Sequence, residues 1–356
     1  MWNKTTLSQQ LQIDYPIIQA PMAGGHTTPE LIAAVSNSGG LGSLGAGYMA
    51  PEEIRETVRK IRKLTDKAFS VNLFIPENPQ EDHAKINKIN KVMALYRQEL
   101  GLPPLAETSQ YGPPFEEQME VVLEEKVPVF SFTFGLLAKE WIAELKAERI
   151  PIMGTATTVK EAIVLEEHGV DMLVAQGSEA GGHRGTFLSD AEDSLIGTFA
   201  LVPQIVDQIK IPVIAAGSIM DGRGIAAALI LGAAGVQSGT VFLTCNESGT
   251  KPVHQEALLY HTEEETRLTR VFSGKLARGI KNKFMLEMQV HQENVPDYPI
   301  QNVLTQDLRQ AAARQELPEY MSLWAGQGLR LCRKISVQEL MKEMVAGVEE
   351  SLHRIK

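Results

Sequence analysis

The sequence predicts an α/β protein of the (β/α)8 barrel class, and three observations point there. Short apolar runs alternate with longer amphipathic stretches, the alternation repeats eight times, and most runs end in glycine-rich, small or polar residues. The runs begin at Pro16 (PIIQAPM), Gly40 (GLGSLGA), Phe69 (FSVNLF), Val127 (VPVFSFTF), Ile150 (IPIMGTA), Val170 (VDMLVAQG), Ile211 (IPVIAAG) and Gly235 (GVQSGTVFL). Their near-continuous apolar character suits parallel strands covered on both faces. Eight such units over about 250 residues fit a closed barrel. A doubly wound sheet would more usually stop at about five or six strands.

The helices carry their own start and stop signals. Pro29–Ser38 follows a threonine cap, and Pro51–Leu64 opens with Pro-Glu-Glu, which suits a helix N-terminus. Thr158–His168 runs to Gly169 and Arg223–Leu231 to Gly232, both placed to end a helix in the left-handed conformation.

The expected organisation is a barrel over 12–75 and 116–300, broken by an insertion at 76–115 and followed by a helical extension at 301–356. The insertion holds a polar helix between proline-rich linkers, and a connection that long reads as a lid or a decoration. Residues 246–271 are polar and helix-prone, which suggests a helical subdomain. Tyr298, Tyr320 and Trp324 could line a pocket, although core packing is the plainer reading.

The 356 residues carry a net charge of −10, which argues against nucleic acid and anionic membrane surfaces as partners. The longest apolar stretch, Ile225–Val236, falls short of the roughly 20 residues a membrane span needs. The N-terminus lacks the apolar core of a signal peptide. The two cysteines, Cys245 and Cys332, offer neither a disulfide framework nor a zinc site and suit a reducing, cytoplasmic setting. A homo-oligomer is compatible with all of this.

In a barrel the chemistry gathers at the strand C-termini. Strand one ends in Ala20-Pro21-Met22, strand three carries Asn72, and strand six ends in Gln176. Strand seven ends in Gly217-Ser218, and strand eight contains Gln237-Ser238-Gly239-Thr240. The last two loops commonly hold a phosphate through backbone N–H groups and a helix N-terminus. Their glycines and hydroxyls suit that task, but also suit plain turns. Asn72 and Gln176 can donate and accept toward a flat ring with alternating carbonyls and N–H groups, unless neighbouring backbone occupies them.

Residues 176–185, Q-G-S-E-A-G-G-H-R-G, follow strand six with four glycines. Gly181 and Gly182 would let a planar ring approach the backbone. One phosphate and one such ring describe FMN. A dinucleotide would ask for G-x-G-x-x-G after strand one, where Pro21-Met22-Ala23-Gly24-Gly25 stands instead.

His183 is the histidine inside that glycine-rich loop, and reads as a general base or an anchor for an anionic substrate. The competing reading is a solvated loop histidine beside Arg184. His26, after strand one, is a possible second polar group, whereas His83, His168, His254, His261, His291 and His353 read as surface residues. Glu179 suits orienting the loop or capping a backbone N–H. Arg278 could meet an anionic ligand or a surface carboxylate, and Arg184 has no evident role. No histidine–carboxylate spacing suggests a metal, and no G-x-S-x-G marks a nucleophile.

The motifs P-I-I-Q-A-P-M-A-G-G (16–25), S-G-G-L-G-S-L-G-A-G (38–47), V-N-L-F (71–74), Q-G-S-E-A-G-G-H-R-G (176–185), A-A-G-S-I-M-D-G-R-G (215–224), Q-S-G-T-V-F-L (237–243) and F-S-G-K-L-A-R-G (272–279) resemble the nitronate monooxygenase family, formerly called 2-nitropropane dioxygenase. The resemblance covers roughly residues 12–284 and is weaker in the insertion and the tail. It implies FMN in a barrel, and oxidation of alkyl nitronates such as propionate 3-nitronate by O2 to a carbonyl compound and nitrite. It places Ala20, Pro21, Met22, Asn72, Gln176, Gly181, Gly182, Gly217, Ser218 and Gln237–Thr240 at FMN and makes His183 the active-site histidine. Flavin-dependent enoyl-acyl-carrier-protein reductases and related NAD(P)H-linked quinone reductases are similar, but commonly carry G-G-M in the first motif where this chain has M-A-G-G. A barrel that binds a phosphorylated metabolite without flavin is a further alternative.

Overall fold

The computed structural model describes residues 1–77, 79–104 and 111–355, so that part of the 76–115 insertion lies outside the described residues. In chain order the strands are β1 (Ile17–Gln19), β2 (Gly42–Gly45), β3 (Phe69–Phe74), β4 (Val129–Thr133), β5 (Ile152–Ala156), β6 (Met172–Gln176), β7 (Gly182–His183), β8 (Val213–Ala216), β9 (Gly235–Ser238), β10 (Thr266–Thr269) and β11 (Ala277–Ile280). Eight of them form one parallel sheet in the order β1-β9-β8-β6-β5-β4-β3-β2. These are the eight strands the apolar runs predict.

The ring closes between β1 and β2 through the bridge Ile18–Leu41. A side chain reinforces this seam. The buried Gln19 amide donates to the Ser43 carbonyl at 3.2 Å and accepts from the Ser43 N–H at 3.0 Å. Gln19 therefore adds side-chain bonds to the backbone pairs that its N–H makes with the Leu41 carbonyl and the Leu41 N–H makes with the Ile17 carbonyl.

Two apolar layers hold the barrel. Inside, Ile18, Leu41, Val129, Met153, Met172, Val174 and Ile214 pack with Leu7 and Leu11 of the helix Thr6–Leu11. The barrel's core thus begins before residue 12. Outside, the helices bury one face each. In Pro51–Leu64 that face is Ile54, Val58 and Ile61, spaced as a helix requires. Glu53 accepts from the Ala50 N–H at its start, and Arg62 and Lys63 sit in its last turn, where the helix dipole favours cations.

The expected tail at 301–356 divides in two. The final helix, Val337–Ile355, packs against Gly222–Ile230 and Pro29–Asn37 and completes the outer ring. The shorter helices Ile300–Leu304 and Gln306–Arg314 lie toward the strand ends instead, with Asn302, Val303 and Gln306 on the cavity described below.

The segment 246–271 is not a helical subdomain. Only Pro252–Tyr260 is α-helical there, and Thr266–Thr269 is β10. β10 pairs antiparallel with β11, and β11 pairs with β7, placing a small second sheet beside the barrel mouth.

Candidate active site

A cavity of about 860 Å3 opens at the strand C-termini. That volume lies in the range of pockets that bury a small ligand. Its wall includes Ala20, Pro21, Met22, Asn72, Gln176, Gly181, Gly182, His183, Gly217, Ser218, Gln237, Ser238, Gly239 and Thr240. The residues expected at the cofactor and the expected active-site histidine therefore line one cavity, whereas Glu179 and Arg184 of the same loop do not.

At one side lie the turns after β8 and β9. Gly217 adopts φ +136° and Ser218 φ +50°, an unusual pair that turns the chain sharply at the end of β8. After β9, Gly239 leads into the short helix Thr240–Leu243, whose first N–H groups have no partner within the helix. The serine hydroxyls are already engaged. Ser218 Oγ donates to the Glu179 carbonyl at 2.9 Å and accepts from the Gly328 N–H, while Ser238 Oγ donates to the Ile219 carbonyl. An anion at these turns would meet backbone N–H groups, not these two hydroxyls.

The middle of the cavity carries the amides. Asn72 is buried and donates to Ser131 Oγ at 2.9 Å. Gln176 differs from the expectation of a free ring-binding amide. Its Nε2 donates to the His183 carbonyl at 3.0 Å and its Oε1 accepts from the Gly185 N–H at 2.8 Å. It pins the loop that carries the histidine.

That loop is held from several sides. His183 pairs with Ala277 of β11, and the Arg184 N–H donates to the Leu276 carbonyl at 2.8 Å. The Arg184 guanidinium is fully buried and donates to the carbonyls of Gly177 (2.6 Å), Gln176 (3.0 Å) and Ser194 (3.1 Å). Arg184 is thus the internal clamp of the loop. Glu179 caps the helix Thr198–Val206, accepting from the Thr198 N–H at 2.9 Å. Arg278 is buried, donates to the Ser178 carbonyl and the Thr266 hydroxyl, and has no carboxylate within ion-pair distance among the described residues.

The two glycines serve different ends. A Cβ on Gly181 would lie 2.5 Å from the Gly326 nitrogen and 2.6 Å from the Ala325 carbonyl carbon. The segment that needs Gly181 bare is thus the protein's own backbone. Gly182 has φ +73° and open space above its Cα. Of the two, it is Gly182 that leaves room for a ring.

His183 sits in an aromatic box of Phe134, Tyr298 and Trp324, with ring centroids 6.0, 6.1 and 5.4 Å away. Its Nε2 lies 2.8 Å from Ser273 Oγ. Ser273 Oγ can in turn donate to the Lys275 carbonyl at 3.1 Å. Desolvation, with Lys275 and Arg309 nearby, pulls the His183 pKa down to about 3. The imidazole is therefore neutral at pH 7, not a cationic anchor. Cationic charge comes instead from Lys275, paired with Glu77 at 2.6 Å and stacked over Phe134, and from Arg309.

His254, which reads in the sequence as a surface residue, is buried beside His26 with ring centroids 5.6 Å apart. Both line the cavity. Burial lowers the His254 pKa to about 3 and that of His26 to about 4.

The model of the family described as nitronate monooxygenase matches residues 4–347. The chain belongs to the nitronate monooxygenase family. As a member it is an oxidoreductase, in a family of flavin-dependent enzymes. A probable nitronate monooxygenase of Staphylococcus haemolyticus (strain JCSC1435) is 46% identical over 354 residues, 99% of either chain. One from Staphylococcus aureus (strain Newman) is 45% identical over 351 residues, 98% of this chain and 99% of that one. Among solved structures, nitroalkane oxidase from Streptomyces ansochromogenes is similar with a TM-score of 0.91 and 37% identity, covering 98% of this chain and 100% of the other. FabK from Thermotoga maritima follows with a TM-score of 0.79 and 30% identity, over 99% and 98%.

Within this family member's site, sequence reasoning missed Ser273, Arg309 and the buried state of His254. Ser273 lies in the F-S-G-K motif, where its serine next to a glycine reads as a turn. Arg309 is a charged residue in a polar helix, which reads as solvated. No helix among the described residues is long and apolar enough to cross a membrane.

Proposed function

We propose that this protein is an FMN-dependent nitronate monooxygenase that oxidises short alkyl nitronates with O2 to a carbonyl compound and nitrite. The observation that carries this reading is the cavity itself, which joins two phosphate-type turns, an open glycine approach at Gly182 and a histidine ringed by aromatic side chains. The residues fit the group. Backbone at Gly217–Ser218 and Gly239–Thr240 would hold the phosphate, while Ala20–Met22, Asn72, Gly182 and Gln237 would flank the ring. Gln176 and Gly181 would contribute mainly by fixing the loop. Bound there, FMN would supply the electron acceptor and the oxygen chemistry.

The protein's own residues orient the substrate and manage its proton. When Ser273 donates to the Lys275 carbonyl, His183 Nε2–H donates to Ser273, and Nδ1 is left as the acceptor. In that tautomer His183 can take the α-proton of a neutral nitroalkane. For a nitronate, already deprotonated, His183 has only to position it. Phe134, Tyr298 and Trp324 surround the imidazole with apolar rings, and with substrate bound they would help shut water out and strengthen charge interactions there.

The test is direct. The purified protein should be yellow, release FMN on denaturation, and consume O2 with nitrite release when given a preformed nitronate. A colourless protein that neither binds FMN nor yields nitrite would overturn the reading. The similarity to FabK makes NAD(P)H-linked reduction the second reading, behind the nitroalkane oxidase by TM-score, 0.79 against 0.91.

A further inference from the structure

Arg309 lies on the helix Gln306–Arg314, lines the cavity, and has only neutral groups as hydrogen-bond partners. Its Nη2 donates to the Asn302 carbonyl at 2.7 Å and to Asn302 Oδ1 at 2.9 Å, and its Nε donates to Thr305 Oγ1 at 3.1 Å. The carboxylate two residues away, Asp307, is taken by Arg97, at 2.9 and 3.1 Å. Glu77, on the other side of the site, is taken by Lys275 at 2.6 Å. Among the described residues no carboxylate lies within ion-pair distance of Arg309. Beside it stand the phenols Tyr48 and the buried Tyr298, both pushed above the ordinary tyrosine pKa by desolvation and therefore uncharged.

Arg309 is half-buried and faces the cavity, so a cation held there among neutral partners favours an anion that joins it. Tyr298 also packs against His183, so that the guanidinium and the imidazole flank the same part of the cavity. We propose that Arg309 is a specificity-determining residue, whose guanidinium supplies the counter-charge for an anionic substrate held beside His183. This rests on the nitronate reading for the identity of the substrate, but not for the charge preference. Asn302 and Thr305 fix the guanidinium from behind, so its orientation is set before the substrate arrives. A neutral molecule of the same shape leaves Arg309 without its partner, and that difference is the selection.

The experiment separates the two claims. Propionate is a planar anion with the shape of a short nitronate, and propionamide is its neutral counterpart. In titration calorimetry the protein as purified should bind propionate roughly tenfold or more tightly than propionamide, as expected for a charge-assisted hydrogen bond. Arg309→Gln should erase that preference, and Arg309→Lys, which keeps the charge, should retain part of it. A preference that survives in Arg309→Gln would assign the charge to another cation, such as Lys275, and overturn the inference. Equal loss in both variants, with a matching fall in melting temperature, would make Arg309 a packing residue and overturn it too. Intact anion preference without any nitronate turnover would sink the proposed function and leave this inference standing.

Discussion

His183 Nε2 and Ser273 Oγ stand 2.8 Å apart, joining the glycine-rich loop after β6 to the turn before β11. The contact fixes which imidazole nitrogen is spent and which is left to accept a proton. Ser273→Ala should therefore lower kcat/KM for a neutral nitroalkane by about two- to tenfold, the worth of one ordinary hydrogen bond. In a His183→Asn background, itself strongly impaired with neutral nitroalkanes, the same change should do little. Steady-state kinetics on the four proteins would check this. Equal losses in both backgrounds would show that Ser273 acts independently of His183.

Arg184 is the clamp of the loop. Removing it takes three charge-assisted hydrogen bonds from the loop, each worth roughly 1.5–3 kcal/mol, although the Gly177 and Ser194 carbonyls still accept from the Ala180 and Ile196 N–H groups. Arg184→Ala should lower the melting temperature, flavin retention and turnover together. Arg184→Lys should rescue poorly, because an ammonium cannot reproduce the planar fork. Thermal melts and released-flavin absorbance measure this, and loss of turnover with unchanged stability would contradict it.

Gly181→Ala and Gly182→Ala should differ in kind. The first drives a methyl into Ala325–Gly326 and should destabilise the protein by several kcal/mol unless that segment moves. The second meets open space and should cost about 1–2 kcal/mol for the left-handed backbone alone. It should chiefly weaken flavin binding. Denaturation midpoints together with flavin titrations would tell the two apart.

Three histidines are held neutral by desolvation, His254 fully buried and His183 and His26 half-buried. His183 and His254 are held at about 3 and His26 at about 4, against 6.5 for the free side chain. Between those values and pH 6.5 the folded protein binds fewer protons than the unfolded chain. Their contribution is thus fully present above pH 6.5 and lost as pH falls toward the folded values. The melting temperature should drop between pH 7 and pH 5, and His254→Gln should make the drop shallower. A variant as steeply pH-dependent as the parent would remove His254 from this account.

The barrel was legible in the sequence because parallel strands advertise themselves as uninterrupted apolar runs, and all eight appear where those runs lie. The small sheet was not. β7 is two residues long and carries no periodicity, and its partner β11 matters through pairing across almost a hundred residues. The site was legible in membership more than in role. Gln176 and Gly181 line the cavity, yet the groups that occupy the one and require the other belong to the protein itself. Arg184 and Arg309 escaped assignment for a shared reason: composition cannot tell a solvated guanidinium from one enclosed by carbonyls or left facing a cavity.

Anaerobic mixing of the purified protein with propionate 3-nitronate, and separately with NADH and NADPH, distinguishes nitronate oxidation from nicotinamide oxidation. Rapid bleaching of the flavin absorbance by the nitronate, with little response to either nicotinamide, is the predicted result. Bleaching by NADH or NADPH with no response to the nitronate would contradict it.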